Sequence, residues 1–547
     1  MNFEKDIPDY AMMPAKEKDT TSIVPITKDA IYSSVDTTSI TEGPGLTLSI
    51  EEDILVPDIK PDLKEILIME GSCALSTREF TSSKQDEYIN LSGHLKLQTL
   101  YLPEKPNKLC PIISMETTIP FKEQLKATSS SSAFFHCKVD KIEYSIVNER
   151  KYKVRATIII SSKEFTHHTV NLFEGISNDK LEVLKEKMEF SHLVQRKKDV
   201  LSIKENISSF ADWQPGDIML SSINIVENYK QVSQDKVIIN GFICVNALCY
   251  DKSPIDDVPL SSNFKQIQEK VEFTQFIPIS CGNSNTEAFT SFDCSHLSLK
   301  LVKHEDGQNI LCLEGELATY IELYKKIEKD VLVDAYHREK NFLCEYAQIN
   351  NTVATGNIFS ESSIREIFVP KNLSCDIEDI IFTSGKIKSI DTSFEQGKAI
   401  CSGVISAIMI CTLADETNSV FSLTEEIPFR LATTIDDTDK KSKISFDVNL
   451  KDLWSEKING KQLEFNGTIV IKYDAIKETS FKLMSSPSFA PMAAFAHHSP
   501  MVIYCCKENE SLWQIAKKFR TSTDNIISIN HLESDILPLG KKLLIIK

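Results

Sequence analysis

Two adjacent histidine pairs, His167-His168 and His497-His498, are the first side chains in this sequence with the chemistry of a metal ligand. A zinc-binding helix needs its histidines four residues apart beside a glutamate, so that both imidazoles share one face. Neighbouring histidines do not, and these pairs read as polar residues of a strand and a linker. No GxGxxG or GxxxxGK[ST] loop is present to cradle a phosphate, and no Gly-x-Ser-x-Gly elbow presents a nucleophile. Trp213 to Asp217 reads as a turn. Fourteen cysteines are scattered without CxxC pairs and read as reduced, mostly buried small hydrophobes. Cys505-Cys506 is the adjacent pair, and strand alternation buries one and exposes the other. The sequence assigns no catalytic residue, no metal site and no cofactor site. The expectation is a protein that is not an enzyme.

Composition narrows the partners. The chain has 547 residues and a net charge of -17, which argues against nucleic acid or an anionic membrane surface as a partner. Its hydrophobic fraction of 41% and charged fraction of 25% are those of a globular protein too long for a single core. No stretch of about 18 apolar residues offers a transmembrane segment. Met1 to Thr20 carries Glu4, Asp6 and Asp9 without an apolar run, and reads as lacking an export signal. A cytoplasmic location is expected.

The elements that must position any site come from an internal repeat. Three runs align on a glycine: Gly93–Tyr101, Gly241–Cys249 and Gly403–Cys411. Each precedes a polar loop and a short run containing proline: Thr117–Phe121, Phe276–Ile279 and Glu426–Phe429. A second half recurs as Leu311–Tyr320 around Gly315 and Leu463–Tyr473 around Gly467, with Lys151–Ile160 as its glycine-free counterpart. Alternation of apolar and polar positions with β-branched residues predicts antiparallel strands. The fold class is therefore mainly β, three tandem antiparallel β domains with helical connectors at 179–195 and 331–349. The expected divisions are a mobile polar leader at 1–45, units at 46–190, 191–340 and 341–483, a flexible linker at 484–500, and a small domain at 501–547.

That last domain has the most specific pattern. Met501–Cys506 is long enough for one strand, and Ser511-x-x-Gln514 is a capping box. Leu512, Ile515, Ala516 and Phe519 then form one apolar helical stripe. A second helix from Thr523 carries Ile526, Ile527 and Ile529, and Lys541–Lys547 closes with a strand. This βααβ order, with Thr521-Ser522-Thr523, Asn530 and Gly540–Leu543 in place, resembles a LysM domain. One departure is Asn509 where the family usually has glycine. The resemblance implies a shallow groove for N-acetylglucosamine polymers such as peptidoglycan, between the loops at Asn509–Ser511 and Asn530–Glu533. The partner- or glycan-binding candidates are Asn509, Glu510, Ser511, Trp513, Asn530, His531 and Leu532. Their polar groups can hydrogen-bond a sugar or a peptide edge.

Val56–Asp62, the Gly93–Tyr101 strand with Ile119-Pro120-Phe121, and Asp334-Ala335-Tyr336 resemble the DUF3794 (SPOCS) repeat of clostridial proteins. Three such units followed by one LysM domain resemble spore-coat morphogenetic scaffolds that partner the coat's basement-layer ATPase. The resemblance implies a mother-cell protein at the forespore surface, making protein contacts through repeats and LysM domain. The alternative is a protein that holds peptidoglycan.

Overall fold

The computed structural model describes residues 24–546 except 27–28, 44, 83–86, 108–109, 127–133, 178–180, 208–212, 252, 254–258, 281, 284, 304–307, 371–374, 396–397, 416–418, 435–441, 491–500, 509 and 533–536. The first unit contains β2 (Ala30–Glu42), β3 (Leu46–Leu55), β4 (Leu63–Ser82), β5 (Glu87–Pro103), β6 (Ile113–Lys126), β7 (Phe134–Asn148) and β8 (Lys151–Ile176), preceded by the short β1 (Val24–Pro25). The second has β9 (Leu181–Ile207), β10 (Pro215–Val232), β11 (Lys236–Asp251), β12 (Phe264–Pro278), β13 (Thr286–Lys303) and β14 (Asn309–His337). The third has β15 (Asn341–Phe368), β16 (Ile377–Glu395), β17 (Lys398–Leu413), β18 (Val420–Thr434), β19 (Ser442–Asn459) and β20 (Gln462–Ala490).

Every unit repeats one plan. An antiparallel sheet of three strands (β4-β5-β6, β10-β11-β12, β16-β17-β18) faces a second sheet centred on the long strand β8, β14 or β20. Alternate residues of the two sheets meet in a separate apolar core for each unit, around Leu95 and Ile158, Ile243 and Leu317, and Ile405 and Ile469. The repeat glycines sit in the central strands, paired across the sheet with Phe121, Phe273 and Phe429. A Cβ on Gly93, Gly241 or Gly403 would lie less than 3.0 Å from both that phenyl ring and a carbonyl oxygen of the preceding strand. Glycine is needed there because ring and backbone fill the space.

Several expectations change. The described residues of 179–195 lie in β9, and 331–349 is the end of β14 and the start of β15 joined by a bend at 338–340, so neither is helical. Leu, Met, Glu and Lys give 179–195 good helix propensity, but its described residues pair with Leu323–His337, and that pairing decides. Unit two pairs Gly241 with Phe273, so the Phe276–Pro278 run lies further along β12, opposite Lys236–Ile238. Of the expected leader, Ala30–Glu42 is a strand on β8. With β3 it forms the counterpart of the unbroken β9 and β15, interrupted near Gly43 and Gly45. Of the expected linker, residues 484–490 complete β20, and 491–500 lie outside the described residues.

The units close into a ring. β6 touches β10, β12 touches β16, and β18 touches β4, so equivalent edges meet in head-to-tail order around an approximate threefold axis. One end of the axis is an apolar plug with contributions from all three units, including Leu100, Leu248 and Ile410. Towards the other end, the two-stranded continuations β2–β8, β9–β14 and β15–β20 pack around Val170, Phe190 and Leu483. β1 pairs with Ser488 and Phe489 of β20, tying the start of the described chain to unit three.

Candidate functional site

The C-terminal module is built from β21 (Met501–Cys505), α1 (Leu512–Phe519), α2 (Thr523–Asn530) and β22 (Lys542–Ile546). Ser511 begins α1 as expected: its hydroxyl accepts from the Gln514 amide at 3.2 Å, and the Gln514 side chain accepts from the Ser511 amide at 3.1 Å. Both orphan donors at the helix start are thereby satisfied. Ser522 caps α2 with its hydroxyl alone, which accepts from the Asn525 amide at 3.2 Å. Leu512, Ile515 and Ala516 bury their side chains with Ile526, Leu543 and Ile545. Cys506 is buried among them and Cys505 is exposed.

One buried residue of this core comes from elsewhere. Tyr336, near the end of β14, packs among the module's apolar side chains and donates its hydroxyl to the Thr521 carbonyl at 2.5 Å. Burial pushes its phenol above the ordinary range. Its ring meets Trp513 edge-on at 5.0 Å between centroids. Asp334, one turn of the pleat earlier, accepts from the Trp513 indole at 2.8 Å and from Lys517 at 2.7 and 2.8 Å. Arg520 adds a hydrogen bond to the Lys340 carbonyl at 3.4 Å. The module is thus docked on unit two through α1 and the α1–α2 corner.

Two family models match the sequence over these elements. The LysM domain matches residues 506–545, and the SipL, SPOCS domain matches residues 215–302 and 376–458. The chain carries SPOCS and LysM domains. No curated protein and no solved structure matches. The two SPOCS matches cover β10–β13 and β16–β19, the same four-strand path in units two and three. β4–β7 traces that path in unit one, although the family model does not extend there. The two matches agree with the SPOCS and LysM resemblances read from the sequence.

The LysM groove residues have distinct fates. Asn509 lies outside the described residues. Glu510 accepts from the Tyr504 hydroxyl at 2.9 Å and the Lys507 amide at 3.1 Å. Asn530 is a clamp: its amide donates to the carbonyls of Ile526 and Leu544 at 2.9 and 2.7 Å, and accepts from the Leu544 amide at 2.6 Å. The two bonds to Leu544 join α2 to β22, and the bond to Ile526 lies within α2. His531 is exposed in the left-handed conformation that ends α2, and Leu532 packs against the module core. Trp513 faces the SPOCS body. Among the described candidates, therefore, His531 and Ser511 are exposed, with Ser511 and Glu510 beside the other loop.

His167 and His168 do not form a ligand set. His167 meets Thr38 at 3.0 Å, His168 meets Ser39 at 3.1 Å, and His497-His498 lies outside the described residues. Among the described residues, no group of three His, Cys, Asp or Glu side chains is placed to hold a metal ion, and no helix is long and apolar enough to cross a membrane. The functional residues that sequence reasoning missed are Asp334 and Tyr336 as a docking pair. The Asp334-Ala335-Tyr336 motif was visible, but not its target.

Proposed function

We propose that this chain is a non-catalytic scaffold of spore-coat assembly. The SPOCS ring is a rigid platform, and the docked LysM module offers its loops to a protein partner. By resemblance that partner is the coat morphogenetic ATPase, met in the mother-cell cytoplasm at the forespore surface. The observation that carries the protein-partner reading is the placement of Trp513. A sugar ring is commonly held by stacking on an exposed aromatic face, and Trp513 is the aromatic side chain that follows the first loop in sequence. Its indole N–H is spent on Asp334 and its ring lies against Tyr336. The described loop residues Glu510, Ser511, His531 and Leu532 supply hydrogen-bonding groups and one aliphatic side chain instead.

The match to the LysM family supports the second reading, a groove for N-acetylglucosamine polymers. Binding by the full chain to chitooligosaccharide, peptidoglycan and the purified ATPase separates the two. The scaffold reading expects ATPase binding, weakened about tenfold (~1.4 kcal/mol) by His531→Asn, which removes the imidazole and tolerates the left-handed backbone. Sugar affinity is expected to be feeble. Tight sugar binding without ATPase binding would overturn the reading.

A further inference from the structure

Unit one differs from its two copies at one seam. Cys73 of β4 pairs across its sheet with Leu95, and Cys137 of β7 pairs with Ile160. Counting from the repeat glycines, the same places are taken by Ile225 and Phe292 in unit two, and by Ile387 and Val448 in unit three. Those copies close the junction of their two sheets with apolar side chains. Unit one closes it with two thiols that hydrogen-bond each other. Other half-buried cysteines in this protein donate to a backbone carbonyl, as Cys110 does to Ile112 and Cys344 to Ser485. The thiol pair also borders a cavity of about 420 Å³ between units one and two, whose lining includes the exposed Ser72, Ser76 and His136. A small reagent in solvent therefore reaches the sulfurs.

We infer that Cys73 and Cys137 are a reversible disulfide site, oxidised by a low-molecular-weight disulfide such as oxidised glutathione, that bolts the two sheets of unit one together. The two sulfurs share a hydrogen bond and border the same cavity, so either thiolate can begin the exchange, and the two orders differ only in which sulfur attacks first. In one order, the Cys137 thiolate attacks one sulfur of the small disulfide, whose S–S bond breaks, and the departing thiolate takes up a proton. Cys73 then loses its proton and attacks the Cys137 sulfur of the mixed disulfide, expelling the second small thiolate. Two protein S–H bonds have become one S–S bond, and the small disulfide has been reduced to two thiols. The cross-link joins β4 to β7 at the rim of the seam with unit two, and a dithiol reductant reverses it. This inference is independent of what the LysM loops bind.

The test uses the full chain, treated with oxidised glutathione, alkylated, digested without reductant and mapped by mass spectrometry. The expected product is a peptide containing Cys73 joined to a peptide containing Cys137, lost on adding dithiothreitol. The double variant C73I/C137V, which takes unit three's residues at these positions, is expected to fold and to lack the cross-link. In C73S the reaction is expected to stop at a glutathione adduct on Cys137. Recovery of both cysteines as free alkylated thiols, as separate stable adducts, or with Cys137 joined to Cys294 would overturn the inference. An unmodified Cys137 in C73S would show that the reagent does not reach this sulfur and would overturn the inference.

Discussion

Asp334 holds the LysM module with one carboxylate shared between an indole N–H and an ammonium. The Lys517 side chain is 44% exposed and that of Asp334 is 23% exposed, so solvent screening discounts the ion pair. Asp334→Ala is expected to weaken docking by about 1–2 kcal/mol, the range for a charge-assisted hydrogen bond at a half-exposed site. Faster hydrogen exchange in α1 with unchanged exchange in β10–β12 is the expected signature. Unchanged exchange in α1 would show that Tyr336 suffices. Asn530 makes the opposite kind of contribution, since its three hydrogen bonds stay inside the module. Asn530→Ala is expected to destabilise the module by about 2–3 kcal/mol by leaving the backbone groups of Leu544 unpaired. Exchange at Leu544 in the full chain measures this. Loss of partner binding in that variant would report lost structure, which is why His531 is the better probe of the groove.

Elements were legible where their cause is local. The capping box of Ser511 and Gln514 spans three residues, and the strand alternation around Gly93, Gly241 and Gly403 spans nine, so both appear in the sequence itself. The docking of Trp513 on Asp334 joins residues 179 apart and leaves no local trace. The strand character of 179–195 was hidden for a related reason. Its composition favours a helix, and its partner, the far half of β14, lies well over a hundred residues downstream. Unit two's pairing was misplaced because Pro278 marks the end of β12, whereas Phe273 sits opposite the glycine. That pairing yields a test at this scale. Gly93→Ala, Gly241→Ala and Gly403→Ala should each destabilise the chain by about 1–3 kcal/mol, the range for overpacking, because the new methyl meets a ring and a carbonyl together. Urea unfolding measures all three. A neutral result at one site would mean that its unit lets the phenyl ring swing aside.

For the whole molecule, the seams between units decide whether the ring unfolds as one body. The seam of units two and three contains a buried charge cluster with no counterpart at the matching positions Tyr320 and Ser161. Lys472 donates to Glu227 at 2.9 Å and to the Thr290 carbonyl and hydroxyl at 2.6 and 2.7 Å, while Lys230 lies 3.3 Å from the other Glu227 oxygen. Burial alone would raise the Glu227 carboxyl, but Lys472 and Lys230 outweigh it and hold it below the usual range. Glu227 therefore contributes stability above about pH 4.5 that is lost as the pH falls through its lowered value. Lys472→Met leaves that carboxylate short of its main partner and is expected to cost about 3–5 kcal/mol, whereas the triple replacement E227L/K230M/K472M is expected to be far milder. Lys230 gives the same slope with pH for the opposite reason, because folding disfavours its charged form. Burial, ahead of its attraction to Glu227, lowers it from 10.5 to about 8. Between those values the unfolded chain binds more protons than the folded one, so this residue makes stability rise with pH across that window. The difference in urea midpoint between the native chain and Lys230→Met should therefore change from about pH 8 to pH 10.5, in favour of the native chain at the alkaline end. A difference that stays flat would mean that Lys230 keeps its proton in the seam, and that Glu227 binds both ammonium groups as full charges.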